Sequence, residues 1–230
     1  MGNEIAEFLM GNCYVIIYGI ALILSVLKYR YYFDTPLKTL PIIIGYVLLT
    51  EILGFLIRDF EDIQVVFENG YSHYNHLIYN ILDTIFFLYF FIIYKKSITE
   101  KRTKNIIRKG ILVIIVIALL NPFFEEFILF PQLGVIIFGS ILLVFCSLSY
   151  LKEVMSKPIK YSNYHKLMKC ISLGLLLFYP FYPFIIGIGQ YNEDLYWKLH
   201  LREVLLVLII IMYALFSIGF IKLKKIQFLK

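Results

Sequence analysis

Seven apolar runs of near-bilayer length punctuate this chain, at about 8–27, 39–57, 76–94, 106–121, 128–150, 167–189 and 199–221. A helix needs about 20 consecutive apolar residues to cross a hydrocarbon core. The fourth run is short, and Arg108 and Lys109 extend it by snorkelling to the interface. The chain is 60% hydrophobic and 17% charged, against roughly 45–50% and about 25% in a globular domain. The excess lies in blocks rather than in amphipathic stripes, so the solvent is lipid. The chain therefore reads as an all-α polytopic membrane helix bundle, one seven-helix transmembrane domain over residues 1–230.

The first run is too long for a signal-peptide core. It lacks a basic leader and a small-residue cleavage site, so it is expected as a retained helix. Cys13, Cys146 and Cys170 fall inside apolar runs, without metal or redox spacing, and read as free buried thiols.

Orientation follows from the basic residues. Segments 28–38, 95–109, 151–169 and 222–230 carry 19 of the 22 Lys and Arg, while the opposite face has Arg58, Lys198 and Arg202. That opposite face is acidic, with Glu61, Asp62, Glu68, Glu125, Glu126, Glu193 and Asp194 among its residues. Basic loops stay in the cytoplasm, which predicts the N-terminus outside and the C-terminus cytoplasmic. The net charge of +6 is thus a topology signal, and no direct nucleic-acid binding is expected. The basic loops are too short to fold as domains and suit anionic lipid headgroups. They contain no phosphate-binding Gly-rich loop, kinase signature or helix-turn-helix.

Glu51 and Asp83 stand inside the second and third runs. Ionisable groups at such depth are costly and mark functional sites by default. Glu51 lies seven residues before Arg58 and Asp83 seven after His76, so both carboxyls lie about 10 Å below one surface. Two carboxyls at one level cannot both ionise cheaply, and a shared proton or bound cation would relieve the repulsion. His76, Asn80 and Asp83 fall at i, i+4 and i+7 on one helical face, either as interhelical hydrogen-bonding groups or as a cavity wall. Asn121, before Pro122, closes the fourth run at the same face. His200 and Glu203 share a face one turn apart at the start of the seventh. The candidate ligand- or ion-binding residues are thus Glu51, Arg58, His76, Asn80, Asp83, Asn121, His200 and Glu203. No catalytic residue or cofactor is assigned; a metal, if bound, would use His76, Asp83, His200 and Glu203. Pro180 and Pro183 remove backbone donors in the sixth run, as either a plain kink or a broken helix lining a substrate path.

Seven spans with an outside N-terminus resemble several families. Microbial rhodopsins share the topology but carry a retinal lysine in the last helix, and this chain has none between Arg202 and Lys222. The alkaline ceramidase and adiponectin-receptor type hydrolases are similar in helix number. They place an H-x-x-x-H pair in the last helix, where His200 is followed by Val204. The sugar carriers built from two three-helix repeats are echoed where YNHLIYNILD and YWKLHLREVLL each set a His and a carboxylate on one face. Their prolines in four core helices are matched only at Pro41, Pro131, Pro180 and Pro183, with none in the first run. Tyr79-Asn80 at the start of the third run resembles uncharacterised seven-helix bacterial inner-membrane proteins, a likeness that carries no activity and implies the inner membrane.

Three functions remain in competition. One is a non-enzymatic membrane sensor, regulator or accessory component with an outward-facing polar pocket, acting through a protein partner on the cytoplasmic face. Another is a small-solute or proton-coupled carrier using Glu51 and Asp83. The last is a metal-dependent intramembrane hydrolase. Oligomerisation is left open by the sequence.

Overall fold

The computed structural model describes residues 13–59, 75–124, 126–156 and 163–223, without the side chains of Cys13, Arg58 and Asp59. Among the described residues every regular element is helical. The α-helices are α1 (Cys13–Leu27), α2 (Leu40–Asp59), α3 (His76–Ser97), α4 (Lys101–Leu120) and α5 (Leu133–Ser156). They are followed by α6 (Asn163–Phe178), α7 (Tyr182–Tyr191), α8 (Glu193–Lys198) and α9 (Leu201–Ile221). Among the described residues six spans are long and apolar enough to cross a membrane: Pro36–Ile57, His76–Ser97, Lys101–Phe123, Leu133–Ser156, Asn163–Tyr191 and Leu201–Ile221. The helix before them is apolar but shorter, over Tyr14–Leu27. The expected first run began at 8, and residues 8–12 lie outside the described part, as do 60–74, 157–162 and the C-terminal basic segment from 224. The chain is a multi-pass integral membrane protein.

The outer surface bears this out. Ile16, Ile20 and Ile23 on α1, Leu112 and Leu119 on α4, and Ile141 on α5 are all exposed. In water such a surface would aggregate; in lipid it is the ordinary exterior. Several serines turn inward instead, with Ser25, Ser147 and Ser172 fully buried.

The helices close into a ring. α1 packs on α2, α2 on α3, α3 on α5, α5 on α6, α6 on α9, and α9 back on α1. α4 stands outside this ring and packs against α3 and α5. Small residues allow the closest approaches, as expected where lipid supplies no hydrophobic drive. A Cβ on Gly174 of α6 would stand 3.0 Å from the Met212 carbonyl oxygen of α9, and one on Gly219 of α9 3.0 Å from Cβ of Cys170. These glycines set the α6–α9 contact, the most extensive in the bundle.

Several boundaries differ from the sequence reading, and the fourth helix starts at Lys101 rather than about 106. The fifth helix starts at Leu133 rather than 128, because residues 126–130 turn on themselves, with Leu129 and Phe130 amides donating to the Glu126 carbonyl. Pro131 is therefore outside the helix. The sixth run is not continuous over 167–189: it starts earlier, at Asn163, and stops at Phe178, and α7 restarts at Tyr182 with Pro183 in its first turn. Pro180 and Pro183 cannot donate into the ladder, which breaks the helix between them. The seventh run, 199–221, is matched by α9 over Leu201–Ile221. His200 adopts a left-handed conformation (φ 51°, ψ 41°) that separates α8 from α9.

Candidate functional site: a central cavity

The ring encloses a cavity of about 330 Å³. Every helix of the ring contributes to its wall, and α4 does not. α1 gives Tyr14 and Tyr18, α2 gives Val47 and Glu51, and α3 gives His76, Tyr79, Asn80, Asp83 and Phe86. Pro131 and Ile136 line one side, and Phe178, Tyr179, Tyr182 and Ile186 come from α6, α7 and the break between them. Arg202, Leu206, Ile209, Met212 and Tyr213 complete the wall from α9.

Depth is read along α3 and α9. His76 and Asn75 stand at one end, as does the exposed Arg202. Phe86 lies ten residues further in, about 15 Å along the helix. Below it the bundle centre is filled. Phe87, Phe90, Phe91 and Tyr94 on α3 are fully buried, as are Phe216 and Phe220 on α9. Phe86 packs on Phe90 with ring centroids 4.7 Å apart, Tyr18 meets Tyr213 edge-on at 4.4 Å, and Phe90 approaches Phe216 at 6.5 Å. Beneath these rings the Tyr94 hydroxyl pairs with Ser147 at 2.8 Å and donates to Ser172 at 2.9 Å, tying α3, α5 and α6 together. The cavity thus has an aromatic floor.

Both membrane carboxylates face this space. Glu51 accepts from the Tyr79 hydroxyl at 2.9 Å and from Tyr18 at 3.4 Å. Asp83 accepts from the Tyr182 hydroxyl at 2.8 Å. Both acids therefore belong to one cavity, each held by tyrosine hydroxyls. Gly54 is what lets Tyr79 reach Glu51, since a Cβ there would stand 2.6 Å from the Tyr79 hydroxyl. Among the described side chains no cation meets either carboxylate, and Arg202 approaches the cavity only at its rim.

The remaining candidates divide. His76 lines the cavity at the same end as Arg202. Asn80 lines it too, but its amide is committed elsewhere. Its Nδ2 donates to the Phe127 and Phe130 carbonyls at 2.8 and 2.9 Å, and its Oδ1 accepts from the Gln132 amide at 2.9 Å. Asn80 thus pins the turn before α5 and seats Pro131 in the wall. Asn121 follows α4, outside the ring, with its Oδ1 beside Gly134. Arg58 lies in the last turn of α2 and its side chain is outside the described part. His200 and Glu203 are exposed and face each other at 3.7 Å, away from the cavity wall. The four residues weighed as metal ligands are therefore split between cavity and surface, and no group of three His, Cys, Asp or Glu among the described residues is arranged to hold a metal ion.

Tyrosines are what the sequence reading passed over. Tyr18, Tyr79, Tyr182 and Tyr213 all line the cavity. A signal existed, because tyrosine in a membrane protein concentrates at the interfaces, whereas Tyr18 and Tyr213 fall deep within apolar runs. Tyr79 also shares the face of His76 and Asp83, at i+3.

No protein-family model matches the chain, and no curated protein or solved structure is similar to it.

Proposed function

We propose that the protein is a ligand-binding component of the membrane, a sensor or accessory subunit rather than an enzyme, whose central cavity receives a small molecule from outside. The observation that carries this reading is the cavity itself, with two carboxylates in its wall and packed aromatic rings at the end away from His76. A carrier needs a path past that floor; a receptor does not. The basic loops support an outer location for the mouth. Lys28 and Arg30 follow α1, Lys95 and Lys96 are in the last turn of α3, Lys152 lies four residues before the end of α5 and Lys222 follows α9, all toward the end away from His76 and Arg202. With the cytoplasm at that end, the N-terminus is outside and the membrane is a bacterial inner membrane. Ligand occupancy is relayed through the α6–α9 contact to a protein partner on the cytoplasmic face. Proton-coupled transport through Glu51 and Asp83 is the rival, favoured by the break between α6 and α7, where a bundle can flex.

Sided labelling tests this directly. A cysteine at Leu206, in the cavity wall, should react with a membrane-impermeant methanethiosulfonate in right-side-out spheroplasts and stay unreactive in inverted vesicles. Reaction from both sides would favour the carrier and remove the receptor reading.

A further inference from the structure

We propose that the cavity takes an organic cation of the alkylammonium class, its head held between Glu51 and Asp83 and faced by tyrosine rings. The proposal rests on the ligand-binding reading above and names the chemistry of that same site. Two acids set within membrane helices are normally paired or neutralised. Here, among the described side chains, each meets only tyrosine hydroxyls, Glu51 those of Tyr18 and Tyr79 and Asp83 that of Tyr182. A hydroxyl donor orients a carboxylate without cancelling its charge. The positive charge missing among the described residues is therefore left to the ligand.

The rest of the wall selects which cation. An alkali-earth ion seeks 6–8 oxygen ligands, but this wall is largely aromatic and aliphatic. Aromatic faces attract ammonium groups through the ring quadrupole, most strongly where water is excluded. Tyr213 and Phe86 supply such rings at the floor, and Leu206, Ile209 and Ile186 supply apolar surface for the carbon substituents. An anion would confront both carboxylates, and a neutral molecule would leave their repulsion to a shared proton. About 330 Å³ lies at the lower end of small-ligand pockets, roughly 300–1,000 Å³, which suits a head of this size with a short chain. The same head occurs on free solutes and on zwitterionic lipids. Arg202 at the rim is placed to meet the phosphate of the second kind.

The experiment uses the purified full chain in a neutral detergent. Choline and its uncharged isostere 3,3-dimethylbutan-1-ol are compared by thermal unfolding, and by protection of Leu206→Cys against a thiol reagent, with the parent chain as background. Choline should raise the unfolding temperature with concentration and protect the cysteine, while the isostere does neither. Glu51→Gln and Asp83→Asn should each weaken choline binding by about tenfold or more, the loss of one ion-pair contact to the quaternary head. The protection arm needs neither variant, so a misfolded carboxamide leaves the test intact. Dihexanoylphosphatidylcholine below its micellar concentration, with and without Arg202→Ala, identifies the source. Dependence on Arg202 points to a headgroup and independence to a free cation, and both outcomes support the ammonium site. Equal effects of choline and its isostere, or none from choline, would overturn the proposal. If choline fails while Leu206→Cys is still reached from one side only, the cation class falls and the receptor reading stands.

Discussion

The hydroxyl of Tyr182 donates to Oδ2 of Asp83 at 2.8 Å, joining residues 99 positions apart. The bond exists because the chain breaks at Pro180 and Pro183, so that α7 restarts at Tyr182 facing α3. Tyr182→Phe should leave a buried acid without its donor. Destabilisation of about 1–3 kcal/mol is expected for such an orphaned group, read by thermal unfolding in detergent. Asp83→Asn in the Tyr182→Phe background should then cost much less than Asp83→Asn alone.

Asn80 provides the second prediction. Its amide holds three backbone groups of the 127–132 turn. Interhelical bonds in membranes average about 0.6 kcal/mol each, so Asn80→Leu should cost about 2 kcal/mol, more than a single-bond residue would. The variant should still insert, and its loss should appear as earlier unfolding. A change below about 0.5 kcal/mol would contradict the clamp assigned to this side chain.

A third concerns His200. Its left-handed backbone is a conformation that glycine adopts at no steric cost, and its imidazole is exposed and outside the cavity. His200→Gly should therefore keep or slightly raise the unfolding temperature and leave cavity binding unchanged. A loss of ligand binding in this variant would restore His200 to the site.

How much of this was written in the sequence varies with the physics involved. The long apolar blocks are legible because a bilayer fixes their length, and six of them appear as long helices with the first shortened in the described part. Glu51 and Asp83 were legible as a pair because helical rise sets depth, and both do line one cavity. Periodicity cannot say which helices are neighbours, so His200 and Glu203, at matching depth, group with the cavity residues although they face each other outside the cavity wall. Asn80 was visible on the right face, but its partners are backbone groups of a turn nearly 50 residues away. Tyr182 was hidden for a similar reason, since its aim depends on how far two prolines open the helix.

The central claim is that Glu51 and Asp83 act as one site, and a double-mutant cycle on these two residues tests it most directly. Unfolding free energies, or choline affinities, are measured for the parent chain, Glu51→Gln, Asp83→Asn and the pair. One shared cavity predicts that the second substitution adds little once the first is made, leaving an interaction energy clearly above 0.5 kcal/mol, about the limit of additivity for independent sites. Single effects that sum to within about 0.3–0.5 kcal/mol of the double variant would show two unrelated anchors, and would contradict the site described here.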